Sequence, residues 1–252
     1  MTLEEFFRLY PSGALAFSGG TDSSFLLWAA KHYGAQYMAY YVRTAFQPAF
    51  ELADARRLAA ELSSQLTVIE AEVMSCADVI ANRADRCYRC KSFIFSNIME
   101  RAKADGYATI IDGTNAFDDA GDRPGMKALK EAGVLSPLRE CGITKPEVRR
   151  ASHDAGLFTW DKPSYSCLAT RITTGVQIRA EDLKRVEGAE NELFSLGFSD
   201  FRVRANGDSA LLQCTERDMA RYQDKQDEII KKLRLFFRDA ALDPKPRAEE
   251  RR

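Results

Sequence analysis

The chain has 252 residues, 45% of them hydrophobic and 29% charged, which describes a globular protein and excludes a disordered one. Lysine plus arginine number 36 against 37 acids, so no global field draws the chain to nucleic acid or to an anionic membrane. No apolar run is long enough to span a bilayer, residues 1–10 mix acids with aromatics unlike a signal peptide, and a cytoplasmic protein is expected.

In chain order, the short apolar run Leu15-Ala16-Phe17 reads as a strand and residues 22–33 as a helix with Phe25, Leu26 and Ala29 on one face. A strand is expected at 36–42, a helix at 50–63, a strand at 66–69, a helix at 93–103 and a strand at 109–112. This alternation predicts a parallel sheet covered on both faces, with ligands beyond the carboxyl ends of its strands. A further helix spans 144–155, with Thr144 as N-cap, Pro146 in the first turn, Glu147 in capping-box position and Gly156 closing it. Residues 157–165 resist assignment and place a domain boundary, giving a domain of 1–160 and a smaller one of 161–240. The smaller part predicts a strand at 168–172, a helix at 180–196, a hairpin of strands 201–204 and 210–213 about Asn206-Gly207-Asp208, and one long helix over 216–237. Residues 241–252 are charged and carry prolines, and a frayed tail is expected there.

The chemistry begins at Ser18-Gly19-Gly20-Thr21-Asp22-Ser23-Ser24, between a strand and a helix. Two glycines let the backbone turn and approach an anion, the serine hydroxyls add donors, and the helix N-terminus supplies free N–H groups. The loop has no lysine, so it is not the Walker type; Asp22 is instead a candidate to hold Mg2+ on the phosphates. A bare Ser-Gly-Gly would be an ordinary turn, but all seven residues resemble the pyrophosphate loop of the N-type ATP pyrophosphatases. That resemblance implies an α/β fold: a parallel-sheet PP-loop ATP pyrophosphatase domain (adenine nucleotide α-hydrolase-like) followed by a smaller α+β domain. It also implies cleavage of ATP to AMP and pyrophosphate, with the substrate adenylated.

Further stretches narrow the resemblance to the LarE family: Asp112-Gly113-Thr114-Asn115 with Asp118, Asp119, Gly121, Asp122, Arg123, Pro124 and Gly125; Trp160-Asp161-Lys162-Pro163; Cys167-Leu168-Ala169-Thr170-Arg171; and Arg202-Val203-Arg204 with Gly207. They keep their order from residue 12 to about 213. Thr21 stands where valine is expected. The resemblance implies thiolation of pyridinium-3,5-biscarboxylic acid mononucleotide on the route to the nickel-pincer nucleotide cofactor, by a homo-oligomer. ATP would be held by Ser18, Gly19, Gly20, Asp22, Ser23, Ser24, Gly113 and Thr114, with Arg43 near the adenine or phosphates. Asp22 and Cys167 would be catalytic.

Two sulfur sources are open. Cys167 matches the family position whose own sulfur can be given up, leaving dehydroalanine. Cys87 and Cys90, in Arg86-Cys87-Tyr88-Arg89-Cys90-Lys91, have the spacing of a soft-metal or redox pair, and one such pair cannot fill a structural zinc site. With Cys167 they make three thiolates for a 4Fe-4S cluster whose open iron could carry a sulfide; buried small hydrophobes are the plainer alternative. Cys76, Cys141 and Cys214 are expected to be structural.

Arg202 and Arg204, two apart on a strand, share a face and could form a bidentate phosphate clamp, although such a pair is more often a solvated sheet face. Thr170, Arg171 and Arg123 are further candidates for the substrate, and Glu190 a weaker one. The rivals are a tRNA thiolase, which would need a basic surface; an amide-forming synthetase, which would leave the cysteines idle; and an ATP-binding module without chemistry.

Overall fold

The computed structural model describes residues 1–118 and 124–247 and divides them into two units. Among the described residues, the first comprises Met1–Val73 and Asp85–Lys162, and the second takes Met74–Ala84 and the chain from Pro163 to Arg247. The division is therefore not the linear one of 1–160 and 161–240, because the second unit draws a segment out of the sequence of the first.

The first unit opens with helix α1 (Leu3–Leu9), unanticipated in the sequence, which Thr2 and Glu5 start with a capping box. It buries Phe6 and Phe7 fully. Strand β1 (Ser12–Ala16), helix α2 (Thr21–His32), β2 (Gln36–Arg43), α3 (Ala49–Glu61) and β3 (Leu66–Glu70) follow. After the short α4 (Ala77–Ile80), which belongs to the second unit, come α5 (Arg86–Ala104), β4 (Ile110–Asp112), α6 (Pro124–Glu131), α7 (Pro137–Glu140) and α8 (Lys145–Asp154). The four strands lie in the order β3-β2-β1-β4, all parallel.

Burial on both faces follows from strand alternation. Tyr37, Ala39 and Tyr41 of β2 pack into a core with Leu15, Leu26, Leu58, Ile111 and Val148. Their neighbours Met38, Tyr40 and Val42 face the other core, with Ala14, Phe95, Ile98 and Leu129. Each fully buried aromatic or aliphatic side chain there contributes about 1.5–3 kcal/mol. Helix α5 starts at Arg86 rather than near 93. Residues 86–92 lack an apolar stripe, yet Asp85 opens the helix and its carboxylate pairs with Arg89 at 2.7 Å.

The second unit holds α9 (Ala180–Ser195), β5 (Phe201–Asn206), β6 (Ser209–Cys214), α10 (Glu216–Asp224), α11 (Gln226–Leu233) and β7 (Asp239–Leu242). Its sheet runs β5-β6-β7, with an antiparallel hairpin β5/β6 and β7 parallel to β6. Gly207, at φ +57°, makes the hairpin turn. The segment 74–84 is stapled to this unit by Asn82, fully buried, whose Nδ2 donates to the carbonyls of Thr173 and Val176 at 2.9 Å.

Three expectations for this part are corrected. Residues 168–171 form a 3-10 turn, because Thr170 bonds back to the Cys167 carbonyl; only Ile172 reaches a strand-like bridge, to Ala205. The long helix 216–237 breaks at Lys225, within the polar run 223–228, which offers no apolar residue to hold a face inward. The expected frayed tail is corrected over 241–247, where β7 pairs with β6 and the Arg247 N–H reaches the Cys214 carbonyl at 3.0 Å; residues 248–252 lie outside the described residues.

Candidate functional site

In an open parallel sheet the crevice lies where neighbouring connections part to opposite sides. Here β1 is flanked by β2 and β4, so that point lies beyond Ala16 and Asp112, which are register partners. Both motifs begin there.

The glycine-rich loop leaves β1 with Gly19 at φ +71°, and a Cβ on Gly19 would stand 3.1 Å from the Ala55 backbone nitrogen in α3. Gly20 is the N-cap of α2 and has no side chain to cap it, so the first-turn N–H groups of Thr21, Asp22 and Ser23 remain available to an anion. The loop is knitted by its serines: the Ser18 and Ser23 hydroxyls lie 3.1 Å apart, and Ser18 Oγ accepts from the Gly20 N–H at 3.3 Å. Ser24 is fully buried, its hydroxyl without a partner among the described residues. Thr21 Oγ donates to the Thr159 carbonyl at 2.9 Å. That bond gives the threonine a use valine could not serve.

The second motif closes over the first. A Cβ on Gly113 would come within 2.9 Å of the Ser23 backbone nitrogen, so only glycine lets β4 end against the first turn of α2. Asp112 is buried and accepts from Thr114 Oγ at 2.5 Å and Ser136 Oγ at 2.6 Å, which fixes the turn. Asn115 then directs its Nδ2 to Asp22 Oδ1 at 3.4 Å.

Two lysines from far along the chain converge on the loop. Lys145, the first residue of α8, places Nζ 2.5 Å from Asp22 Oδ2, with only 13% and 21% of the two side chains exposed. The capping box of Thr144 and Glu147 sets the start of α8 as the sequence predicted. Burial raises the Asp22 carboxyl above its ordinary value, against the pull of Lys145. Lys162 lies 2.6 Å from Asp54 Oδ2 and 3.4 Å from the Gly19 carbonyl. Lys162 caps the 3-10 turn Phe158–Asp161, and Arg149 holds this stretch by donating to the carbonyls of Trp160 and Lys162 at 2.8 and 3.0 Å. Arg43 ends β2 but is half-exposed and paired with Glu70 at 3.3 Å.

In the second unit the candidates gather around Tyr165. Arg171 is buried and pairs bidentately with Glu190, Nε to Oε1 at 2.9 Å and Nη2 to Oε2 at 3.1 Å. Its Nη1 donates to the Ser166 carbonyl at 2.5 Å and to Thr170 Oγ at 2.9 Å. Glu190 faces inward, contrary to the exposed helix glutamate expected, and also accepts from the Val203 N–H at 2.9 Å and from the Tyr165 hydroxyl. Arg202 is buried and donates to the carbonyls of Phe201 and Ser164, both at 2.5 Å. Arg204 donates to Gln213 Oε1 at 2.8 Å and to the Thr170 carbonyl. Burial, with Arg171 adding repulsion, lowers Arg202 to about 10. The same causes lower Arg204. Arg247 also pairs with Asp200, so four guanidiniums share this network with the carboxylates of Glu190 and Asp200.

Cys87 and Cys90 stand one turn apart at the start of α5, Cys87 exposed and Cys90 half-buried, with Arg86 Nη2 3.7 Å from Cys87 Sγ. Cys167 is the half-buried N-cap of the 168–171 turn in the second unit. Burial pushes the Cys214 thiol up to about 11.

No protein-family model matches the chain. Over 232 residues it is 30% identical to the pyridinium-3,5-bisthiocarboxylic acid mononucleotide synthase of Lactiplantibacillus plantarum, an alignment covering 91% of this chain and 84% of that protein. The chain belongs to the LarE family. It is also 35% identical over 243 residues to an uncharacterised protein of Synechocystis sp., covering 95% of this chain and 85% of the relative. An uncharacterised protein of Methanocaldococcus jannaschii is 28% identical over 222 residues, covering 88% and 84%.

Of the residues that the LarE resemblance singled out, Ser18, Gly19, Gly20, Asp22, Ser23, Gly113 and Thr114 come together at the β1/β4 crevice. Thr170, Arg171, Glu190, Arg202 and Arg204 form the second group. Arg123, Asp119, Gly121 and Asp122 lie outside the described residues. Lys145, Asp54 and Ser136 were missed, and Lys162 was seen only as part of a motif. No spacing in the sequence ties residues 145 and 162 to a loop at 18–24. No helix among the described residues is long and apolar enough to cross a membrane.

Proposed function

We propose that this LarE-family chain is an ATP-dependent sulfur transferase acting on pyridinium-3,5-biscarboxylic acid mononucleotide in nickel-pincer nucleotide cofactor biosynthesis. The observation that carries the reading is the uncapped glycine N-terminus of α2 at the β1/β4 crevice, with Gly113 pressed against it, in a chain of this family. A substrate carboxylate oxygen attacks the α-phosphorus of ATP and pyrophosphate leaves. Adenylation turns a poor electrophile into one with a good leaving group. Sulfur then attacks the acyl carbon, and AMP departs with the original carboxylate oxygen. The first-turn N–H groups of α2 receive the phosphates, and Asp22 offers a carboxylate that suits Mg2+.

Arg202 and Arg204 are assigned to the substrate phosphate, supported by the excess of guanidinium over carboxylate around Tyr165. Arg204→Glu is expected to abolish mononucleotide binding and to leave ATP binding intact; equal loss of both would refute the assignment.

For the sulfur, Cys87, Cys90 and Cys167 are exposed or half-buried thiols, the ligand chemistry a thiophilic cluster takes, although among the described residues no three metal-ligating side chains are grouped. When bound, a 4Fe-4S cluster would offer an open iron for a sulfide. Without one, Cys167 is the single-use donor: its sulfur attacks the acyl carbon, and loss of its Cα proton to a base then breaks its Cβ–S bond, releasing the thiocarboxylate and leaving dehydroalanine. Iron and acid-labile sulfide that are present in anaerobically purified protein and lost in Cys90→Ala favour the cluster. Their absence from both proteins, after reconstitution, favours Cys167.

The activity test follows AMP, pyrophosphate and the product mass with ATP, Mg2+ and the mononucleotide. Release of AMP and pyrophosphate with sulfur replacing one oxygen is expected. ADP as the nucleotide product, or an amide formed from ammonia, would overturn the reading, and salt-sensitive tRNA binding would favour a tRNA thiolase.

A further inference from the structure

The loop at 18–24 has no lysine. Four phosphate charges nevertheless have to be held as ATP binds, and backbone N–H groups supply only partial charges. The fold brings two full positive charges to this loop from 123 and 143 residues away, and each sits on a carboxylate: Lys145 on Asp22 at 2.5 Å and Lys162 on Asp54 at 2.6 Å. Both ammonium groups are largely withdrawn from solvent, with side chains 13% and 15% exposed. Neither lysine is needed to complete a helix or a sheet. Lys162 also reaches the carbonyl of Gly19, inside the loop.

We infer that Lys145 and Lys162 are the phosphate-binding cations that the loop itself lacks, parked on Asp22 and Asp54 until the outer phosphates of ATP draw them away. The inference rests on the reading that this loop binds ATP.

The exchange follows from the chemistry of the partners. An ammonium is a flexible point charge with three donors, able to swing from a carboxylate to a phosphate with little change in its stem. The Asp22 carboxylate is largely withdrawn from water, so it needs a cation beside it, and Lys145 stands there at 2.5 Å. Lys145 fills that place in the free protein, and its transfer to phosphate leaves Asp22 open to the divalent cation that accompanies ATP. The free loop therefore carries no unpaired buried charge, and the bound loop has its cations already within reach. AMP, which lacks the outer phosphates, should draw neither lysine.

The test is equilibrium binding of a non-hydrolysable ATP analogue, inorganic pyrophosphate and AMP to the full chain, with wild type, Lys145→Met and Lys162→Met. Each substitution is expected to weaken the analogue and pyrophosphate by about ten- to a hundredfold, the range of one charge-assisted hydrogen bond, while AMP stays within about twofold. Lys145→Arg and Lys162→Arg should retain most of the pyrophosphate affinity. Parallel loss of all three ligands would mean that the lysines only shape the loop, and no loss would mean that they are plain ion pairs; either overturns the inference. A wild type that binds AMP and the analogue normally, with variants that do not discriminate, sinks the lysine assignment alone. A wild type that binds no nucleotide sinks the ATP reading with it. If a methionine variant fails to fold, Lys→Gln takes its place, since glutamine keeps a donor for the carboxylate but no charge.

Discussion

Replacing Glu190 by alanine tests the buried network of the second unit. Its carboxylate takes two bonds from Arg171 at 2.9 and 3.1 Å, one from the Val203 N–H at 2.9 Å and one from the Tyr165 hydroxyl. The pair is sealed, with 0% and 1% of the two side chains exposed. Removing the carboxylate leaves a buried guanidinium facing Arg202 and Arg204 with no counter-charge at its Nε, and breaking such a pair costs about 3–5 kcal/mol. That is a large share of the ~5–15 kcal/mol that holds a domain folded. Both tryptophans, Trp28 and Trp160, lie in the first unit and would miss the event. The assay is therefore hydrogen exchange read by mass spectrometry on peptides covering α9, β5 and β6. Protection there should fall by about two to three orders of magnitude, following 1.4 kcal/mol per tenfold. Replacing both partners, Arg171→Met with Glu190→Leu, should recover most of the loss, because an apolar pair of similar volume leaves nothing uncompensated. A Glu190→Ala cost below about 1 kcal/mol, or a double variant as unstable as the sum of the singles, would refute the network as described.

Gly113→Ala should weaken ATP binding more than it weakens the fold, since its methyl must push the Ser23 backbone, 2.9 Å away, out of the anion-binding turn; calorimetric titration with an ATP analogue measures this. Thr21→Val should cost about 0.5–1.5 kcal/mol in denaturant unfolding, the worth of its bond to the Thr159 carbonyl, and leave the loop able to bind phosphate. Alkylation at pH 8 followed by mass spectrometry should modify exposed Cys87 first and buried Cys214 last. The Cys214 thiol, raised from 9.0 to about 11, keeps its proton in the folded state where the unfolded chain loses it. Its contribution to stability is therefore intact below pH 9 and is lost as pH rises through about 11, a slope that Cys214→Ala should remove from an alkaline unfolding series.

The sequence by itself determined the features written in local patterns. The strand–loop–helix at 12–32, the alternation of β2 between two cores and the capping box at Thr144 all rest on residues a few positions apart, whose spacing is set by backbone geometry. The order of its motifs was enough to place the chain beside the LarE family. Weakly patterned segments were misread for the same reason: α1, the first two turns of α5 and the turn at 168–171 are held by particular pairings, not by periodicity. Only the tertiary structure decided which distant charges meet. It joined Lys145 and Lys162 to the loop, turned Glu190 inward onto Arg171, and took residues 74–84 into the second unit through Asn82. Such contacts depend on burial. A charge buried beside its partner is stable and the same charge buried alone is not, so the folded core, and no spacing along the chain, selects the pairs.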